Sequence, residues 1–137
     1  MDSVIDVNDR QPLKTLELLK KHLSDLKGKT VGVLGLAFKP GTDDIRYSRS
    51  IPIVKQLLEK DARVKVFDPR AMENFKKLFP SLVYCSSGDE VLDSDAVIVA
   101  TKWESFNELD YSGKIVIDGR RLKVAEKDAK VYEGVCW

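Results

Sequence analysis

Apolar and polar positions along this chain alternate between two periods, one helical and one extended. Leu16, Leu19, Leu23 and Leu26 recur at spacings of three, four and three. That stripe predicts a helix from about Arg10 to Leu26, with Asn8 or Asp9 at its start and Gly28 at its end. The run "TVGVLG", Thr30 to Gly35, is apolar and bounded by turn residues, as a strand buried on both faces would be. A second helix is expected from about Ser50 to Lys60. Ser48 or Ser50 can cap it, Pro52 falls harmlessly in its first turn, and Ile51, Val54, Leu57 and Leu58 form its inner face. "RVKVFD" is a strand closed by Pro69, and a helix over about Ala71 to Leu78 carries Met72, Phe75, Leu78 and Phe79. Then come a short strand "SLVYC", a short helix "SGDEVLDS", the clear strand "DAVIVAT", a helical turn in "WESFNEL", and two more strands, "KIVIDG" and "KVYEGV".

Short apolar strands separated by helices, with almost no hairpin turns, call for parallel β-α-β units. The expected architecture is α/β: a three-layer, doubly wound, mainly parallel sheet of about six strands, preceded by one helix. Ligands of such sheets bind beyond the carboxyl ends of the strands, where the strand order reverses. In the order 3-2-1-4-5-6 the first and fifth strands are about 10 Å apart, at roughly 4.8 Å per strand. Groups leaving those two ends can grip one ligand.

Composition narrows the field little. The chain has 137 residues, 43% hydrophobic and 33% charged, with a formal net charge of +1. No global field attracts nucleic acid, and the pairs Lys20-Lys21 and Lys76-Lys77 read as solvated helix faces. No apolar run approaches a membrane span, and the polar, acidic opening "MDSVIDVNDR" resembles no signal peptide, so a cytoplasmic protein is expected. Cys85 and Cys136 lack CxxC spacing and read as reduced thiols, Cys85 a structural one. His22, in a Lys/Leu helix, reads as a surface residue, and no metal site is expected.

The candidate chemistry follows the first strand, in "GLAFKPGTDDIRYSRS". A dinucleotide fingerprint needs G-x-G-x-x-G; here Gly32 and Gly35 are spaced G-x-x-G, and Phe38 and Lys39 stand where small residues would be needed. Asp68 occupies the place of a ribose-binding acid, although "DP" after a strand also reads as a plain turn. Lys39 brings a point charge suited to phosphate or carboxylate. Thr42, Asp43 and Asp44 can bond the loop backbone, and Arg46 is a planar bidentate donor. "DGRR" sends Arg120 from a strand end toward the same crevice. A phosphorylated ligand of nucleotide-sugar size suits this set.

"GLAFKPGTDDIRYSRSIP", with "VNDRQ", "VFDP" and "ATKWESFNELD…VIDGRRL" in order and spacing, resembles the C-terminal, UDP-binding domain of the UDP-glucose/GDP-mannose 6-dehydrogenases, most like those acting on UDP-glucose. The resemblance covers about Val7 to Leu122. It implies an NAD-dependent enzyme of three domains, oxidising a sugar C6 alcohol to a carboxylate in two steps through a cysteine-bound intermediate. It implies a Rossmann-like domain at 29–137, preceded at 1–28 by a helix from the end of the middle domain. By position, Phe38, Lys39 and Arg120 are implied to contact the nucleotide-sugar, and Arg46 to reach NAD held mainly by a missing N-terminal domain. The partners implied are UDP-glucose or a related nucleotide-sugar, the other domains of the same enzyme, and a second subunit in a homodimer. A Gly-rich nucleophilic cysteine stretch is absent from this sequence, so catalytic residues are expected elsewhere and this chain alone is expected to be inactive. Tyr47 replaces an acid usual in the family, and Lys102 a common Glu. A non-catalytic nucleotide-binding or assembly module, or the same domain of a GDP-mannose or UDP-N-acetylmannosamine dehydrogenase, is the alternative.

Overall fold

The computed structural model describes residues 14–23, 25–37, 41–46, 48–101, 103–118, 126–127 and 129–134. After a leading helix α1 (residues 14–22), the chain runs β1 (Thr30–Leu34), α2 (Ser50–Glu59), β2 (Arg63–Phe67), α3 (Met72–Leu78), β3 (Val83–Tyr84), α4 (Gly88–Leu92), β4 (Ala96–Val99), a 3-10 helix (Glu104–Glu108), β5 (Ile115–Asp118) and β6 (Val131–Gly134). The strands form one six-stranded sheet in the order β3-β2-β1-β4-β5-β6. Every pairing is parallel. This is the doubly wound order expected from the alternation of strands and helices.

Alternation along each strand sorts the core into two layers. Val31, Val33, Ala96, Ile98 and Ile117 face α1, α2 and α3, with Leu16, Leu19, Ile53, Leu57 and Phe75 packed on them. Leu34, Val97, Val99 and Val116 face the other way, onto Val91, Phe106 and Tyr111. α4 lies so close to β1 that a Cβ on Gly32 would come within 2.5 Å of Val91 Cγ1 and 2.6 Å of its carbonyl. Only glycine lets that helix settle. Buried Cys85 is a core thiol whose pKa burial raises, in keeping with a structural role.

Three expectations need correction. The leading helix stops short of Leu26: Leu23 N–H still bonds Leu19 O at 2.8 Å, but then the Asp25 carboxylate accepts Lys27 N–H at 3.0 Å. A side chain that bonds the backbone locally competes with the helix. Gly28 then turns at φ +76° and sends its N–H to Asp61 O. Leu26 is buried all the same, by the turning chain rather than by a helical stripe. On α2 the buried face is Ser50, Ile53, Val54 and Leu57, with Ile51 and Leu58 only half-buried, because Ser50 is tied to the sheet end and rotates the helix. On α3 Leu78 is 53% exposed, since β3 at the sheet edge is only two residues long and offers nothing to cover it. Asn8 and Asp9 lie outside the described residues.

His22 is the third. It is half-buried, its Nε2 2.9 Å from Glu133 Oε2 on β6, with Lys21 Nζ 3.3 Å from the same oxygen. Its partner is 111 residues away, beyond any local pattern. The bond from His22, with Lys21 behind it, holds the Glu133 carboxyl below the usual carboxylate range. A carboxyl lowered in the folded state adds stability above its unfolded value, about 4.3 for Glu, and loses it as pH falls through the lowered folded value. Glu133→Gln is therefore expected to lower the urea midpoint at about pH 6 and to lower it by less at about pH 3, as pH falls toward the lowered folded value. Denaturation curves of both proteins at the two pH values check this; an undiminished difference at the lower pH would contradict it.

A candidate ligand site at the carboxyl edge of the sheet

β1 and β2 end in register, Leu34 beside Phe67, and β4 and β5 end beside them at Val99 and Asp118. The next residues must turn away, and each turn exposes backbone groups that need partners. Asp68, the first residue after β2, supplies most of them. Its Oδ2 accepts Leu36 N–H at 2.7 Å, Ala37 N–H at 3.0 Å and the Trp103 indole Nε1–H at 3.0 Å. Its Oδ1 accepts Arg70 N–H at 2.8 Å and Ala71 N–H at 2.9 Å. The side chain is fully buried. One carboxylate thus fixes the turn after β1, the entry to α3 and the segment after β4.

The carbonyls of the same turn are held from the other side. Ser50 Oγ donates to Gly35 O at 2.6 Å, and Thr101 Oγ1 donates to Ala37 O at 2.8 Å. Gly35 has φ +99°, and a Cβ there would lie 2.5 Å from Thr101 Cβ. Left-handed backbone and close approach together require glycine. Ser48 Oγ accepts Ser50 N–H at 3.2 Å just ahead of α2, but the N-cap position falls on Arg49 and no side chain caps the helix, so neither serine is the cap that the sequence suggests.

Residues 41–46 form a second bonded stretch. Thr42 Oγ1 accepts Asp44 N–H at 3.1 Å, Asp44 Oδ1 accepts Arg46 N–H at 2.9 Å, and Asn74 Nδ2 donates to Asp43 O at 2.9 Å. Arg46 is 81% exposed on its side chain and bonds Asp44 with both Nε and Nη2, the latter at 3.0 Å from Oδ2. Those bonds hold the Asp44 carboxyl below the usual range. Thr42 and Asp44 hold the loop as the sequence suggests; Asp43 contributes its carbonyl.

Across the sheet, Asp118 is fully buried at the end of β5, and its Oδ2 accepts the Tyr132 hydroxyl at 2.9 Å. Burial, with the Asp118 charge adding to it, pushes the Tyr111 phenol well above the usual tyrosine range; that hydroxyl donates to Phe106 O. Phe38, Lys39 and Arg120 lie outside the described residues, as do Tyr47, Lys102 and Cys136. The described residues that precede the first three are hydrogen-bonded: Ala37 before Phe38 and Lys39, Asp118 before Arg120. Sequence reasoning missed Asp68 as a hub and with it Trp103, Thr101 and Tyr132. The signal available was an acid directly after a strand; three of its five partners lie 31 to 35 residues away.

A dinucleotide held by this chain alone does not fit these residues. Gly32 and Gly35 are filled by the protein's own atoms, and both Asp68 oxygens are occupied by internal donors rather than open to a ribose. Among the described residues no helix is long and apolar enough to cross a membrane, and no group of three or more His, Cys, Asp or Glu could hold a metal ion. An open depression of about 460 Å³ lined by His22, Leu23, Asp25, Lys27 and Lys29 adjoins the start of β1, at the opposite edge of the sheet from the strand ends.

Asp68→Asn retains the shape but turns an amide NH₂ toward at least two backbone donors. Leaving a buried donor unsatisfied costs about 1–3 kcal/mol, so a loss of about 2–4 kcal/mol in urea denaturation is expected. Trp103→Phe removes one donor of five and should cost nearer about 1 kcal/mol. Equal effects of the two substitutions would contradict the hub.

The profile described as "UDP-glucose/GDP-mannose dehydrogenase family, UDP binding domain" matches residues 32–124, from within β1 to beyond Arg120. UDP-glucose 6-dehydrogenase AglM of Haloferax volcanii is 45% identical over 141 residues, covering 98% of this chain and 32% of that protein. UDP-glucose 6-dehydrogenase of Rickettsia bellii is 40% identical over 138 residues, 93% of this chain and 32% of that one. Among solved structures, a UDP-glucose dehydrogenase of the hyperthermophilic archaeon Pyrobaculum islandicum superimposes with a TM-score of 0.93 at 46% identity, over 99% of this chain and 32% of that chain. The chain spans about a third of the length of these relatives and matches their C-terminal part. With its sheet order, its pinned strand ends and this match in hand, the chain belongs to the UDP-glucose/GDP-mannose dehydrogenase family, in its UDP-binding domain.

Proposed function

We propose that this chain is the nucleotide-sugar-binding C-terminal domain of an NAD-dependent UDP-glucose 6-dehydrogenase, which oxidises UDP-glucose to UDP-glucuronate in two steps at C6. One observation carries the reading: β1 and β5, the strands that precede Lys39 and Arg120 in the chain, end at the same edge of the sheet, with hydrogen-bonded, buried Leu36 just past β1 and hydrogen-bonded, buried Asp118 at the end of β5. Phe38, Lys39 and Arg120 contact the nucleotide-sugar, with Lys39 and Arg120 meeting its negative charge. Arg46, exposed and oriented by Asp44, reaches NAD held mainly by an N-terminal domain outside this chain. Residues 1–28 are the end of a middle domain and 29–137 the nucleotide-sugar domain. The nucleophile and the rest of the NAD site belong to the remainder of a cytoplasmic, homodimeric enzyme. The identity to UDP-glucose enzymes supports UDP-glucose over related nucleotide-sugars.

Titration of the isotopically labelled chain with UDP, GDP and NAD tests the substrate half. UDP is expected to shift amides in Leu36–Lys39 and Gly119–Arg121 and to bind better than GDP or NAD. Lys39→Ala and Arg120→Ala should each weaken UDP about tenfold or more, since a hydrogen bond to a charged group is worth about 1.5–3 kcal/mol. NAD binding best at those same amides would overturn the assignment.

The cofactor half is tested in the full-length enzyme. Arg46→Ala is expected to raise KM for NAD several-fold, on the order of the loss of one charge-assisted bond, and to leave KM for UDP-glucose nearly unchanged. A rise confined to UDP-glucose would place Arg46 on the substrate instead.

A further inference from the structure

Two apolar layers cover the sheet, one on each face, and among the described residues one side chain packs on both, that of Trp103. A side chain can touch both layers only by lying across a rim of the sheet, and Trp103 stands at the carboxyl rim, just past β4. Its indole Nε1–H bonds Asp68 Oδ2 at 3.0 Å, and its backbone N–H bonds Thr101 O at 3.2 Å. Asp68 follows β2 and Trp103 follows β4, with β1 between those strands, so the indole spans the end of β1. Its neighbours reach the same way: Ala100 N–H bonds Leu34 O at 2.9 Å, and Thr101 Oγ1 donates to Ala37 O at 2.8 Å. Even so, Trp103 is only half-buried. Asp68 covers the pyrrole edge, the two layers cover the flanks and the end of β1 lies beneath, so the part left bare faces outward from the carboxyl edge. Ligands of doubly wound sheets enter there, where the strand order reverses between β1 and β4. The Asp68 oxygen that takes the indole N–H also takes Ala37 N–H, again at 3.0 Å. The indole therefore lies beside the residue that precedes Phe38 and Lys39 in the chain.

We propose that Trp103 is a ligand-contacting residue of this edge, its bare aromatic surface packing against the base of the nucleotide-sugar. The inference rests on the reading of this edge as the nucleotide-sugar site. An indole offers a large, rigid contact area. Here its rotamer is already fixed by the Asp68 bond, so little freedom remains to be lost on binding. Every base has a π-face that stacks on such a surface. Cations at the strand ends hold phosphates and do not sense the base. The indole supplies what they lack, a reason for the edge to prefer a nucleoside diphosphate to bare pyrophosphate.

Nuclear Overhauser contacts in the isotopically labelled, unmutated chain with UDP bound test this directly. Trp103 and Trp137 are the two tryptophans, and Trp137→Phe assigns their signals. Contacts between the base protons of UDP and the Trp103 ring are expected. UDP binding with contacts to the ribose alone, or with none, would overturn the inference. Affinities then separate the ring from the hub bond. Trp103→Phe and Trp103→Ala both lose the indole N–H, but only the second loses the aromatic surface. The preference for UDP over pyrophosphate is expected to fall by less than about threefold in the first and by about tenfold or more in the second. An unchanged preference in Trp103→Ala, or equal falls in the two variants, would leave Trp103 a support of Asp68 alone and overturn the contact. If Trp103→Ala does not fold, the Overhauser contacts of the unmutated chain still decide. A wild-type chain that does not bind UDP would overturn the proposed nucleotide-sugar site and this contact together; UDP binding without base contacts would overturn the role of Trp103 alone.

Discussion

Five donors converge on one side chain in this protein, and the carboxyl edge of the sheet is organised around it. Asp68 stands just past β2, beside the turn that follows β1 in the neighbouring strand. From there it reaches three separate pieces of chain: two amides after β1, two at the entry of α3, and the indole of Trp103 after β4. Those segments would otherwise leave buried polar groups unpaired, each costing about 1–3 kcal/mol. The same feature in a self-sufficient dinucleotide domain would meet a ribose. Here the acid turns inward, and the small glycine cradle is filled by Thr101 and Val91. The chain has the parallel sheet and strand order of a cofactor-binding domain, with the cofactor's place taken by its own side chains.

That substitution suits the role the site supports. A strand end whose Leu36 and Ala37 amides are both bonded has little backbone entropy left to lose on binding. On the far side of the reversal point, the Tyr132 hydroxyl bonds the buried Asp118 at the end of β5. Between them, Thr42, Asp44 and Arg46 form a stretch bonded in part to itself, with Asn74 of α3 bonded to Asp43 O and the Arg46 side chain exposed. An arginine on such a stretch can meet a group brought by another domain without disturbing the sheet.

Much of the fold was legible because strands and helices alternate with different hydrophobic periods, and parallel crossovers leave few arrangements. What failed was local or long-range. The leading helix was read too long because Asp25, a residue with a side chain able to take a backbone N–H, lies within the leucine stripe. His22 was read as a surface residue because Glu133 is 111 positions away. Asp68 looked like either a turn or a ribose ligand because the donors that decide the matter come from three other segments. Lys39, Phe38 and Arg120 are singled out by a long motif with ordered companions and lie outside the described residues; spacing alone reaches only an anion-binding edge. Arg46 is singled out by the motif too, while its bond to Asp44 follows from a separation of two residues.

The claim that one buried carboxylate sets this edge is tested most directly by amide hydrogen exchange in the unmutated chain. Leu36 and Ala37 lie beyond the end of β1, outside the ladder. If Asp68 holds them, their amides and the Trp103 indole should exchange as slowly as Val33 inside the strand, and all should open together only on global unfolding. Exchange of Leu36 and Ala37 at the rate of an exposed turn, with Val33 still protected, would contradict the account.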